Sequence, residues 1–162
     1  MNKTAQIQLR VTPAQKADLS RRARAAGLGL SEWMLGRLIP DQRVRFHALA
    51  RSLATTSRAS YVLAELHDLL AGLHRADLAN VTEGFDGSKL SDVLANQLAA
   101  MVETAAARLR TAPPSWVDQV RPLSTPWFAS ELVSLRLHLL CSSPPAFRRR
   151  NLFVDATLGD RV

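Results

Sequence analysis

Four histidines, one cysteine and scattered carboxylates are the residues of this 162-residue chain suited to proton transfer, nucleophilic attack or metal ligation. Their spacing does not gather them. His67 and His74 stand seven apart on one expected helix, two turns from each other and too distant to share a metal, and no His-Glu-x-x-His spacing occurs. With His47 and His138 they read as ordinary surface or boundary histidines. Arg43 and His47, four apart, superficially suggest ribonuclease chemistry, but the gap is too short for it. Cys141 sits at an apolar helix end and reads as a small buried hydrophobe. A single thiol excludes an intrachain disulfide and a cysteine zinc site. No phosphate-cradling glycine loop, nucleophile elbow or clustered acidic pair is found. The expectation is a protein with no catalytic residues, no metal and no cofactor: not an enzyme.

What remains is recognition chemistry, and the charge says where. The net charge is +7. Residues 1–58 hold eleven Lys and Arg against Asp18, Glu32 and Asp41, a net +8, while residues 59–162 come to −1. This asymmetry points to a polyanion-binding module joined to a near-neutral partner module. At 47% hydrophobic and 22% charged residues the chain is globular, one ordinary domain or two small ones. Its greasiest stretch, Leu132 to Cys141, is cut by Ser134, Arg136 and His138, so no membrane span is expected. The first residues lack an apolar signal core, and a lone thiol fits a reducing compartment, so the expected location is cytoplasmic.

The elements that position the basic end follow from local pattern. Ala5 to Val11 alternates strictly, with Ile7, Leu9 and Val11 on one face and Gln6, Gln8 and Arg10 on the other, as a short strand does. Thr12-Pro13 supplies an N-cap and a proline at the first helical position. The helix runs to about Ala26, and Gly27 is its left-handed stop. Ser31 is the expected cap of a second helix, with Glu32 favouring its positive end and Pro40 breaking it. About forty residues with a single strand cannot bury enough surface alone, so two copies are expected to pair their strands over four helices.

These residues, Ile7-Gln8-Leu9-Arg10-Val11-Thr12-Pro13 and then Ala25-Ala26-Gly27-Leu28-Gly29-Leu30-Ser31-Glu32-Trp33, resemble the ribbon-helix-helix family of DNA-binding proteins over about residues 3–40. The resemblance implies an antiparallel ribbon that enters the major groove of double-stranded DNA. It makes Gln6, Gln8 and Arg10 the base readers. It makes the backbone amides around Leu30, Ser31 and Glu32 a phosphate anchor, with Lys3 nearby. The chemistry suits these roles: glutamine makes paired hydrogen bonds to adenine N6/N7, arginine to guanine O6/N7, and helix N-termini attract phosphate.

After Pro40 the pattern turns helical without repeats. Val44, Phe46, Leu49, Ala50 and Leu53 form one periodic run, and Val62, Leu63, Leu66, Leu69, Leu70 and Leu73 a second. Asn80–Lys89 reads as a loop, Leu90–Arg110 as a long helix, residues 111–128 as a proline-rich connector, and Ala129–Leu140 as a further helix. Leu152–Val154 is a candidate short strand. The expected architecture is mainly α: a ribbon-helix-helix head for DNA binding and dimerisation over residues 1–40, then an all-helical region over 41–162 for partner binding. Trp116, Trp127, Phe128, Phe147 and Phe153, with the run Arg148-Arg149-Arg150, are the candidate partner-binding residues, because aromatics beside arginine dominate interfaces.

From the resemblance, the leading expectation is a dimeric antitoxin that represses its own operon and neutralises a cognate toxin protein. One alternative is a plasmid-mobilisation accessory protein that binds a transfer origin and recruits a relaxase. Another is a helical interaction protein whose basic head contacts polyanions without sequence preference.

Overall fold

Short local signals build the N-terminal part. The computed structural model describes residues 8–38 and 41–155, and the chain divides into two compact units, Met1–Asp41 and Gln42–Val162. In the first unit, α1 spans Pro13–Ala25. Thr12 closes a full capping box: its Oγ1 accepts from the Gln15 amide at 3.3 Å, and its own amide donates to Gln15 Oε1 at 2.9 Å. The helix stops where Gly27 takes φ +70°. There the Leu28 amide donates to Ala23 O at 3.1 Å and the Gly27 amide to Arg24 O at 3.0 Å, the two bonds of a Schellman motif.

Helix α2 spans Leu30–Leu38. Its first ladder bond runs from the Trp33 amide to Gly29 O at 2.8 Å, so Gly29 occupies the cap position expected of Ser31, and the helix begins two residues earlier. Of the expected strand, Ala5, Gln6 and Ile7 lie outside the described residues, and Gln8–Val11 form no ladder within one chain. Leu9 is 56% and Val11 43% exposed. A lone strand has nothing to pair with, so the ribbon-helix-helix arrangement is not seen in the single chain.

The second unit packs helices around a leucine-rich core. Helices α3 (Gln42–Leu53) and α4 (Ala59–Ala71) lie against each other, and α5 (Leu78–Thr82) and α6 (Asp92–Arg108) complete the group with α7 (Ser115–Gln119). Phe46, Leu53, Leu66, Leu78, Leu98 and Val102 are fully enclosed, and burying each such side chain is worth about 1.5–3 kcal/mol. Ser91 caps α6, its Oγ accepting from the Leu94 amide at 3.4 Å. Between α5 and α6, Asp86 holds a 3-10 turn at Gly87–Lys89. Hydrogen bonds to its carboxylate from the Ser88 amide and then the Ser88 hydroxyl, each 2.9 Å, keep its pKa below the usual carboxylate value.

The C-terminal third differs most from expectation. Residues 41–162 are not all helical: β1 (Trp127–Phe128) pairs in parallel with β2 (Leu152–Phe153), Trp127 opposite Leu152 and Phe128 opposite Phe153. Strands of two residues carry no alternation to read. The expected helix from Ala129 is also shorter. The Ala129 amide is taken by Phe153 O at 2.9 Å, and the Leu132 amide donates to Ser130 Oγ at 3.2 Å, which diverts this backbone from a helical ladder. A 3-10 turn at Val133–Leu135 leads into α8 (Arg136–Ser142), followed by α9 (Pro145–Arg148). Cys141 is exposed, not buried, because α8 turns Leu139 inward, two positions away on the opposite side.

Candidate nucleic-acid interface

The capping box of Thr12 fixes the point at which the leading segment enters α1. Just before it, Gln8 and Arg10 are exposed, whereas Gln6 and Lys3 lie outside the described residues. Along α1, Arg22 Nε is 2.8 Å from Asp18 Oδ2 and Arg21 also pairs with Asp18, all at the surface. Lys16, Ser20 and Arg24 recur at every fourth position, which sets two cations along one helix face.

The Schellman turn delivers the chain directly into α2. Since the ladder starts at Trp33, the amides of Leu30, Ser31 and Glu32 precede it and belong to the electropositive helix end. Leu30 is half-buried, and Ser31 and Glu32 are exposed. The geometry therefore offers hydrogen-bond donors to an anion, while the Glu32 carboxylate lies close by with the opposite preference.

Basic character continues into the second unit. No acidic residue occurs from Gln42 to Ala64, a stretch that carries Arg43, Arg45, Arg51 and Arg58. Two of these are held by carboxylates: Arg43 Nη1 lies 2.9 Å from Glu83 Oε2, and Arg45 Nη2 lies 4.0 Å from Glu65 Oε2. His47 Nε2 is 3.0 Å from the Glu83 carbonyl, an anchor for the loop after α5 and not a ribonuclease pair with Arg43. Arg51 and Arg58 are exposed.

The eight residues expected at a partner surface do not form one patch. Trp116, in α7, is 9% exposed and stacks edge-on against Phe85 with ring centroids 4.7 Å apart. Phe153 is 8% exposed and stacks on Phe128 at 5.0 Å. Arg150 is buried: Nη1 and Nη2 donate to the carbonyls of Val120 and Val117 at 3.0 Å, and Nε faces Glu103. These three hold the fold together rather than line its surface, because each has its contacts inside the unit. Arg149 pairs with Glu103 from outside, Arg148 is exposed, and Trp127, Phe128 and Phe147 are half-buried. Arg136 covers the Phe128 ring at 5.1 Å. Around α8 the exposed apolar residues are others: Leu132, Val133, Leu135, Leu137 and Leu140. Their only sequence signal is an apolar run too rich for the single inward face of α8.

Among the described residues, no group of three or more histidine, cysteine or acidic side chains is placed to hold a metal, and no helix is long and apolar enough to cross a membrane. Gln8, Arg10, Lys16 and Arg24 of the head are exposed, an arrangement that suits an anion. Residues 1–69 match the family described as NikA-like, mobilization protein NikA. That match covers 69 of 162 residues, through α3 and most of α4, and supports a DNA-binding family of the ribbon-helix-helix type for this part of the chain. No curated protein matches the chain, and no solved structure does. The match favours the mobilisation alternative over the antitoxin expectation, for which it offers nothing.

Proposed function

We propose that this chain is an accessory DNA-binding protein of plasmid mobilisation, acting by binding and not by catalysis. The observation that carries the reading is the match of residues 1–69 to NikA-like mobilization proteins. In this reading two copies pair residues 5–11 as an antiparallel ribbon, which covers the exposed apolar side chains of Leu9 and Val11. Gln6, Gln8 and Arg10 then project into the major groove and discriminate bases. The amides of Leu30, Ser31 and Glu32, with Lys3, grip flanking phosphates. Lys and Arg of the head release counterions and give salt-dependent affinity. The second unit recruits the protein machinery that acts on the bound DNA.

The test is made on the mobilised plasmid. The full chain is expected to protect a discrete segment at the transfer origin, to co-purify with the relaxase, and to raise transfer frequency. Arg10→Ala is expected to remove the protection and lower transfer. Rescue of cells from a neighbouring toxin, with no footprint at any transfer origin, would contradict the reading and restore the antitoxin one.

A further inference from the structure

Helix α3 turns Phe46, Ala50 and Leu53 into the core of its unit. Outside it carries Arg45, Ala48 and Arg51, all exposed and spaced i, i+3 and i+6, which places them on one ridge of the helix. No acidic residue lies on α3. Among the described residues no carboxylate pairs with Arg51. Arg45 reaches only Glu65, at 4.0 Å with side chains 52% and 53% exposed, and a pair so open to water holds its arginine weakly. Arg43 is different, closed on Glu83 at 2.9 Å and off this ridge. The small Ala48 leaves the middle of the ridge open to close approach, and about 9 Å of helix axis separates the two arginines on either side of it.

We infer that the ridge of Arg45, Ala48 and Arg51 is a second DNA contact, made to backbone phosphates of the duplex that the head reads. The inference rests on the proposed DNA binding by the head. Three observations favour a duplex over an acidic protein. The family match runs unbroken from the head through α3, so the segment bearing the ridge goes with the DNA-binding part and not with the C-terminal part that the match leaves out. Residues 39–41 alone separate α2 from α3, so a duplex held by the head stays at high effective concentration for the ridge. One DNA strand offers a phosphate about every 3.4 Å along its axis, so the two arginines meet phosphates two or three steps apart. Their planar guanidinium forks suit phosphate oxygens. Such a contact reads no bases: it adds affinity, fixes orientation and steepens the salt dependence.

The test titrates the full chain onto a duplex selected from a random library and onto a scrambled one, across a salt series, by fluorescence anisotropy. Arg45→Gln with Arg51→Gln is expected to weaken both duplexes by the same factor. It should also flatten the slope of log affinity against log salt by about 0.9 for each lost phosphate contact, close to two per bound chain. Arg45→Lys with Arg51→Lys keeps the charge and should keep the slope. Glu65→Gln frees Arg45 and should tighten both duplexes. A wild-type slope in the glutamine pair, while Arg10→Ala still loses the selected site, would overturn the ridge and leave base reading standing. A flattened slope with no sequence selected, and no preferential loss in Arg10→Ala, would support the ridge and sink base reading. An unchanged slope with loss of relaxase co-purification would assign the ridge to an acidic protein and overturn the inference. Glu65→Gln decides the matter even if the glutamine pair fails to fold: no gain on either duplex would overturn it.

Discussion

Arg150 and Glu103 stand 47 positions apart and meet inside the C-terminal unit, Nε 3.4 Å from Oε2, with side chains only 8% and 20% exposed. Through Arg150 the turn before β2 is tied to α6 and, by the two carbonyl bonds, to the segment around α7. Removing Arg150 leaves the Val117 and Val120 carbonyls without their donor, while Glu103 keeps its pair with Arg149. Arg150→Met is therefore expected to cost about 2–4 kcal/mol in urea unfolding followed by circular dichroism. Arg148→Met, on an exposed side chain, is expected to stay within about 0.5 kcal/mol. Equal losses would mean that the triplet acts as a unit.

Trp116 separates packing from hydrogen bonding. Its ring is buried, but among the described residues its indole N–H has no acceptor. Trp116→Ala is expected to cost about 3–5 kcal/mol. Trp116→Phe keeps an aromatic ring against Phe85 and removes an unsatisfied donor, so it should cost far less in the same assay. A Phe variant as unstable as the Ala variant would show that the N–H is bonded in solution.

Gly27 tests the turn between α1 and α2. A Cβ there meets nothing within 4 Å, so the only penalty is φ +70°. Gly27→Ala is expected to destabilise the head by about 1–2 kcal/mol, read as a lower melting temperature. No change would mean that the turn adopts another conformation.

Much of the head was legible because its signals are local. Thr12-Pro13 and Gly27 act on neighbours three to five residues away, and the structure bears out both. Ser31 has the side chain of a cap, but Gly29, which has no side chain to signal with, takes that place. In the second unit, the leucine periodicities of α3, α4 and α6 gave the core. The pairing of Trp127 with Leu152 was not legible, since it joins residues 25 apart over two-residue strands. Arg148-Arg149-Arg150 looks like a surface run in sequence. Only the fold distinguishes an arginine in water from one bonded to Val117 and Val120, or shows that Leu139 takes the inward side of α8 and leaves Leu137 outside. For the candidate site, the polar alternation of Gln6, Gln8 and Arg10 was readable, but a ribbon needs a second chain.

Glu32 distinguishes an amide grip from a side-chain contact. If phosphate sits on the amides of Leu30, Ser31 and Glu32, the Glu32 carboxylate opposes it. Glu32→Gln keeps the amide and removes the repulsion, so affinity for any duplex is expected to rise by about 0.3–1 kcal/mol, most at low salt. Weaker binding, measured by fluorescence anisotropy, would place the carboxylate in a contact of its own.

Base reading by the head is tested most directly by selecting duplexes from a random library with the full chain. Anisotropy on the selected sequence and on a scrambled one then gives the specificity ratio. The account predicts a defined site bound at least a thousand-fold more tightly than scrambled DNA. Gln8→Ala and Arg10→Ala should each lose about 1–3 kcal/mol on that site and little on the scrambled duplex. No enriched sequence, or equal losses by both variants on every duplex, would contradict it.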